Sequence, residues 1–551
     1  MAVFHRGRLR SSGRKPVSRA MVGTILGALV LSACGGGGST AASGEQLIIV
    51  TGAQTNSFAQ DVNGTGYENA EFLLNSNATL LRNPYVDGDG EMSRHQDLYA
   101  FEGLLADSYE VSDDGLVYTF RLSESALSQA GNTLTADDVL YSYERKFAVP
   151  TSIVPFVSAP AIVDPARQIR KIDDHTVTFT VDAASHGFTL LSLLSNTTAT
   201  IYDSKVLKEH ASDSDPYAAQ WSSTNGNWGF GAYKLDTFKP GQEMIYTANP
   251  GYVGGEPEVK RIVQRVVQDP GTRANLLRNG DANIAAQLRP ADQADLTTDP
   301  NVELYTAPTN AMSYIPLTTT TAPFDNVAVR RAFAYAIPYD KIIEDTYRGR
   351  AGEIAGILSP DAPGYDGEGL APFTYDPAKS KEILAAAGIT SPVAFTLTVN
   401  SSTPDLQEAA TQIQTAAAAA GFTITIDPVP SATYNEGLAA KTFQASMGRD
   451  YSVVKSPPYE LLLFYTAGSP LNWPNWENAA FYAAVNAGIA AGDPLSPEAG
   501  VHWNAAQRLI QEEVPTVWMN SVQPLNAFRS DVDGYVFRTD NVIDYSELSF
   551  E

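Results

Sequence analysis

The sequence predicts an α/β protein of more than one domain, and three features carry that reading. VAFTLTVN, residues 393–400, sets Val393, Phe395, Leu397 and Val399 on alternate positions, the period of a strand. PDLQEAATQIQTAAAAAG follows, with Leu406, Ala410, Ile413, Ala417 and Ala420 at helical spacing between a Pro404 start and a Gly421 stop. Phe422, Ile424 and Ile426 then alternate again. Strand, helix and strand with short joints make a βαβ unit, whose crossover implies a parallel pair. The second feature is a pair of stretches, VSDDGLVYTFRL and IRKIDDHTVTFTVD. Each puts acidic turn residues ahead of an alternating run, Tyr118, Phe120 and Leu122 or Val177, Phe179 and Val181, the pattern of antiparallel hairpins. The third is length: 551 residues exceed what one hydrophobic core serves, and divide into two to four domains at the usual size.

Taken in chain order, the first residues read as an address. Arg6, Arg8, Arg10, Arg14, Lys15 and Arg19 precede MVGTILGALVLSA, residues 21–33, which carries no charge; this is the charged and apolar succession of an export signal. The run is shorter than the roughly 20 residues a membrane span needs. Leu31-Ser32-Ala33-Cys34 resembles a bacterial lipobox, which implies cleavage before Cys34, the sole cysteine, and lipidation of its thiol. Residues 35–44, rich in Gly, Ser and Ala, form a flexible tether reaching about 17 Å. One acyl chain anchors marginally, so stable retention at the membrane implies more than one on Cys34.

Beyond the tether, Thr135 is placed to cap a helix over 136–147 with Leu140, Tyr143 and Phe147 on one face. Asp325 is placed to cap another, with Val329, Phe333, Ala336 and Ile337 as its apolar stripe and Arg330 and Arg331 facing solvent. A lone cysteine excludes an internal disulfide. Of 37 basic residues, six belong to the leader, which leaves 31 against 62 acidic ones and a net charge of about −31. Binding a polyanion needs a basic footprint, so no nucleic-acid partner is expected.

Catalytic signatures are sparse. The chain has no GxSxG, GxxxxGK[ST] or HExxH, and its six histidines, at 5, 95, 175, 186, 210 and 502, are scattered; neither a metal nor a cofactor is expected. YVDGDGE places Asp87, Asp89 and Glu91 like the start of a calcium loop, but the twelfth position is Leu98, so it reads as a polar surface turn. Ser452 and Lys455 form an SxxK, the pattern of serine acyl-enzymes, without the SDN or KTG that accompanies it.

Four blocks carry a family resemblance. GLLADSYEVSDDGLVYTFRL with GNTLTADDVLYSYERKF spans 103–147, and GFGAYKLDTFKPGQEMIYTANPGYVGGEPEVKRI spans 229–262. DNVAVRRAFAYAIPYDKI spans 325–342, and VPTVWMNSVQPLNAFRSDVDGYV spans 514–536. In this order they resemble the extracytoplasmic solute-binding proteins of ABC importers, the peptide, opine and nickel family (family 5). The resemblance implies a two-lobed periplasmic-binding-protein-like fold with a hinge and an extra subdomain. Carried onto this chain, 1–33 is the signal, 34–44 the lipidated cysteine and tether, and 45–82, 196–305 and 521–551 form lobe I. Residues 83–195 are its extra subdomain, and 306–520 are lobe II. The implied function is a lipid-anchored, monomeric, non-enzymatic receptor on the extracytoplasmic face of the bacterial membrane, capturing di- or oligopeptides for an ABC permease. An oligosaccharide or metal chelate as ligand is the alternative within the fold, and an SxxK acyl-enzyme the alternative outside it.

In peptide-binding members an aspartate of a Trp-x-x-Asp-Tyr segment pairs with the ligand's amino group. MGRDYS aligns Asp450 and Tyr451 with it, but the chain continues SVVKSPPY, where Lys455 is positioned to neutralise Asp450. LNWPNWENAAF offers Asn472, Trp473 and Trp476 as flat rings and amides for a wet cleft. Trp228, in NGNWGFGAY, sits among glycines that permit close backbone approach.

Overall fold

Residues 46–551, apart from 63–65, 91, 310, 390–391 and 453, are described by a computed structural model. The export signal, Cys34, the tether and Glu91 lie outside the described residues. Two sheets organise two lobes. The first has the order 233–239, 243–248, 261–266, 46–51, 284–285, 527–529 and 302–303; the second has 351–353, 516–522, 312–316, 445–450, 393–400 and 422–429. A separate four-stranded antiparallel sheet runs 106–111, 117–122, 176–180 and 169–173, so the two acidic-turn hairpins join edge to edge.

The βαβ unit forms as its periodicity predicts. Strands Val393–Asn400 and Phe422–Val429 pair in parallel over eight positions, from Val393 opposite Phe422 to Asn400 opposite Val429. Helix Pro404–Ala419 crosses between them and buries Leu406, Ala410, Ile413 and Ala417 completely or nearly so. Gly421 turns the chain at φ 93°, in the left-handed region that only glycine enters without cost. In the four-stranded sheet, Phe120 and Phe179 meet edge to face at 5.5 Å, and Tyr143 of helix Ala136–Ala148 meets Phe179 in the same way. The Asp138 carboxylate accepts the Thr135 N–H (2.8 Å) and hydroxyl (2.9 Å), which ties down the start of that helix.

The second helix departs from expectation twice. Asn326, not Asp325, caps helix Val327–Ala334, its side-chain oxygen accepting the Ala328 N–H at 2.9 Å. Arg330 is buried rather than solvent-facing. Its guanidinium donates to the carbonyls of Glu513 (2.7 Å) and Phe324 (2.8 Å), and Arg331 donates to that of Glu512. Glu512 and Glu513 end helix Pro497–Glu513, where four carbonyls lack intrahelical partners and a cation is favoured. The paired arginines therefore cap a neighbouring helix.

Two crossings link the lobes, 304–311 and 523–526, between strands that belong to different sheets. They are tied to each other: the Thr309 hydroxyl donates to the Val522 carbonyl (2.8 Å), and the Ala307 N–H donates to the Gln523 side chain (2.9 Å).

Candidate binding cleft

Asp450 ends strand Ala445–Asp450, opposite Met312 of the first strand after a crossing. That position puts a carboxylate at the end of an inner strand, paired with the first residue of the strand that follows a crossing. Its Oδ1 accepts the Tyr451 N–H at 2.8 Å, and burial pushes the carboxyl up to about 6. Among the described residues no cation pairs with it. The phenols of Tyr314, Tyr434 and Tyr459 are held above their ordinary range, first by burial and further by the Asp450 charge. Tyr314 stacks on Trp473, with ring centres 5.3 Å apart and planes at 12°. Gly448 makes room for that ring: a Cβ there would lie 3.1 Å from it. Trp473 is half-buried.

Tyr451 lies within the field of acids from both lobes. Its phenol is raised by burial and then by the charges of Asp540, Asp450 and Glu68. Asp540 is neutralised by Arg538 at 2.9 Å, both side chains being buried. Glu68 lies in the first turn of helix Tyr67–Ser76; burial raises its carboxyl, and the neighbouring Gln287 side chain opposes that shift. Gln287 itself sits at φ 53°, a backbone conformation that costs a non-glycine residue energy and recurs at functional sites. Asp450 and Glu68 are acceptor-only groups in excess of cations, which suits a ligand that brings ammonium or other donors.

Lys455 does not neutralise Asp450. Its ammonium lies 3.1 Å from Glu460 Oε1, with side-chain exposures of 4% and 3%. The Ser452 hydroxyl donates to the Val454 carbonyl at 2.9 Å, so the SxxK pair is spent on local structure. This stretch reaches across to the other lobe. The Thr539 hydroxyl donates to the Ser452 carbonyl (3.1 Å), the Ser456 and Thr189 hydroxyls are 2.8 Å apart, and Val454 and Tyr459 pack in the core of the four-stranded sheet's subdomain.

The remaining candidates separate. Asn472 is buried and braces its own loop, accepting the Trp476 N–H (3.1 Å) and donating to the carbonyls of Trp476 (2.9 Å) and Thr466 (3.2 Å). Trp476 is 2% exposed and donates its indole N–H to Glu513 at 2.6 Å. Trp228, 1% exposed, stands edge-on to Tyr202 at 4.8 Å and donates to the Asn225 carbonyl at 2.7 Å, so its indole is committed to the core of the first lobe. The close approach permitted by Gly229 and Gly231 is used by Ser76 and Asn77, against which a Cβ at either glycine would collide. Asp450 and Tyr451 adjoin in the chain, Glu68 acts on the Tyr451 phenol, and Trp473 stacks on Tyr314. Glu68 reads in the sequence only as an ordinary first-turn acid, and the Gln287 backbone conformation leaves no mark in the sequence.

Two lobes joined by two crossings are the architecture of a solute-binding protein. The chain belongs to the bacterial extracellular solute-binding proteins, family 5, whose middle region matches residues 100–471. It is 25% identical to a probable D,D-dipeptide-binding periplasmic protein of Escherichia coli, over 79% of this chain and 82% of that one. It is 32% identical to heme-binding protein A of Haemophilus influenzae, over 52% and 54%. Among solved structures, the fold is similar to a dipeptide-binding protein of a Pseudoalteromonas species in complex with Met-Leu (TM-score 0.79, 18% identity, 92% and 100% covered). It is also similar to a periplasmic binding protein of Helicobacter pylori in complex with the peptide STSA (TM-score 0.78, 22% identity, 92% and 98% covered).

Proposed function

We propose that this protein is a lipid-anchored receptor that captures short peptides in the cleft between its lobes and passes them to an ABC permease. The observation that carries the reading is Asp450: a buried carboxylate without a cation among the described residues, at the end of an inner strand of the second sheet and opposite the first residue of the strand that follows a crossing. A peptide's amino terminus supplies the charge and donors this site lacks, and relatives named for dipeptides and tripeptides support the ligand class. Asp450 and Tyr451 bind the amino end, and Trp473 packs against the ligand. The reading includes a division into lobe I (45–82, 196–305 and 521–551), its subdomain (83–195) and lobe II (306–520).

In this reading the lipobox-like Leu31–Cys34 and the tether behind it support anchoring of a monomeric body at the extracytoplasmic face of the membrane. No catalysis is assigned, because Ser452 and Lys455 are engaged with Val454 and Glu460. The test is calorimetry with a peptide and its N-acetylated form. The peptide should bind at least tenfold more tightly, and Asp450→Asn should erase the difference; equal binding of both forms by the unaltered protein contradicts the assignment.

A further inference from the structure

Helix Pro457–Tyr465 belongs to two cores at once. Leu461, Phe464 and Tyr465 pack in the cluster of Trp476, Trp503 and Trp518 inside the second lobe. Tyr459, with Val454 just ahead of the helix and Leu463 within it, packs instead in the subdomain cluster of Phe120, Phe179 and Leu190. A helix apolar on both sides is one that neighbours cover all round. Here the second neighbour comes from a distant part of the chain: Ser456 Oγ lies 2.8 Å from Thr189 Oγ1, across 267 residues of sequence, and both side chains are buried.

The composition of this contact suits a surface that parts. Ser452, Lys455, Ser456 and Glu460 are buried, and each belongs to a class that water serves as well as protein does. Lys455 holds Glu460 at 3.1 Å, the Ser452 carbonyl accepts the Thr539 hydroxyl at 3.1 Å, and Ser456 meets Thr189. The apolar part is Val454 and Tyr459, with Leu463 half-buried beside them; domains that never separate are joined by large hydrophobic interfaces. The fit is also incomplete. The hydroxyls of Tyr459 and of Ser192, one turn beyond Thr189 on helix Gly187–Leu194, are buried without a hydrogen bond among the described residues. Unpaired buried hydroxyls penalise the shut contact, and water relieves them once it opens.

We propose that Val454, Ser456 and helix Pro457–Tyr465 form a clasp by which lobe II seats itself on the subdomain when the cleft shuts, and that receiving this clasp is what the subdomain is for. The inference rests on the capture reading of the cleft and extends it: the subdomain gates entry and release of ligand, while the crossings at 304–311 and 523–526 carry the turn. A ligand shifts a conformational equilibrium only through contacts that differ between the two states. The Thr189–Ser456 pair and the seat of Val454 and Tyr459 are contacts of the shut state, and they continue from the strand that ends at Asp450. Apparent affinity scales with the fraction of molecules already shut, so the strength of the clasp sets how tightly ligand is held.

The experiment uses the full chain with Cys34→Ala, which removes the sole native cysteine. Thr189→Cys with Ser456→Cys sets two thiols where hydroxyls stand 2.8 Å apart, close enough for mild oxidation to join them. The oxidised form should take up Met-Leu at least tenfold more slowly than the same protein reduced with dithiothreitol. Equal uptake by both forms would overturn the clasp, as would failure of the thiols to join. A second readout needs no ligand: the thiol of Ser456→Cys should react with iodoacetamide at least tenfold faster than that of Ser380→Cys, a site fully buried within lobe II that reports unfolding. Equal rates would mean that the contact parts only when the lobe unfolds, and would overturn the proposal. If Met-Leu binds neither the unaltered protein nor the reduced variant, the peptide reading fails, and the alkylation rates still decide the clasp.

Discussion

Lys455 and Glu460 form a buried ion pair at 3.1 Å, five residues beyond Asp450 and on the stretch that docks Val454 and Tyr459 into the subdomain core. Because the ammonium is taken by Glu460, Asp450 keeps its charge available for ligand. Removing one partner of such a pair leaves the other charge buried, a penalty of about 3–5 kcal/mol. Lys455→Met should lower the denaturation midpoint accordingly, and Lys455→Met with Glu460→Leu should recover most of the loss. A single variant as stable as the unaltered protein would show that the pair is solvated.

The pH dependence of binding follows from Asp450. Its carboxyl is raised from 3.8 to about 6 in the folded chain, so between these values the native state holds more protons than the unfolded one, and this residue's contribution to stability falls as pH rises through that window. Ligand ammonium requires the ionised form. Affinity for a peptide with a free amino terminus should therefore drop as pH falls below about 6, and Asp450→Asn should bind weakly with little change from pH 5 to 8. Calorimetric titrations across that range check both slopes.

The two tryptophans of LNWPNW should behave oppositely. Trp473→Ala removes a half-exposed ring from the Tyr314 stack, and should weaken peptide binding at least tenfold with a small change in melting temperature. Trp476→Ala empties a core site and takes one of two side-chain donors from Glu513, leaving Asn478; it should cost about 3–5 kcal/mol of stability while the folded fraction binds normally. Paired melting curves and binding isotherms separate the two effects.

Lipidation at Cys34 has a direct readout. Cys34→Ala should move the protein from the detergent phase to the aqueous phase on Triton X-114 partitioning, without altering peptide affinity. Retention in the detergent phase would place the anchor elsewhere.

Legibility in the sequence tracked the range of the interactions involved. The βαβ unit was readable because its alternation, its helical period and Gly421 are local signals that packing reinforces. Arg330 was not, since its partners, the carbonyls at the end of helix Pro497–Glu513, lie some 180 residues away and a charge on a helix usually faces solvent. Lys455 lies five residues from both Asp450 and Glu460, and spacing alone could not choose between them; the turn into helix Pro457–Tyr465 decides it. Trp473 and Trp476 carry the same chemistry three positions apart, and only the fold reveals that one meets Tyr314 and the other Glu513.

The central claim is that the cleft holds peptides, and native mass spectrometry of the soluble body beginning after Cys34, purified without refolding, tests it most directly. Masses released on denaturation should form a ladder spaced by amino-acid residues. A single released compound with no peptide fragmentation pattern would contradict the account and make this a receptor dedicated to another nutrient.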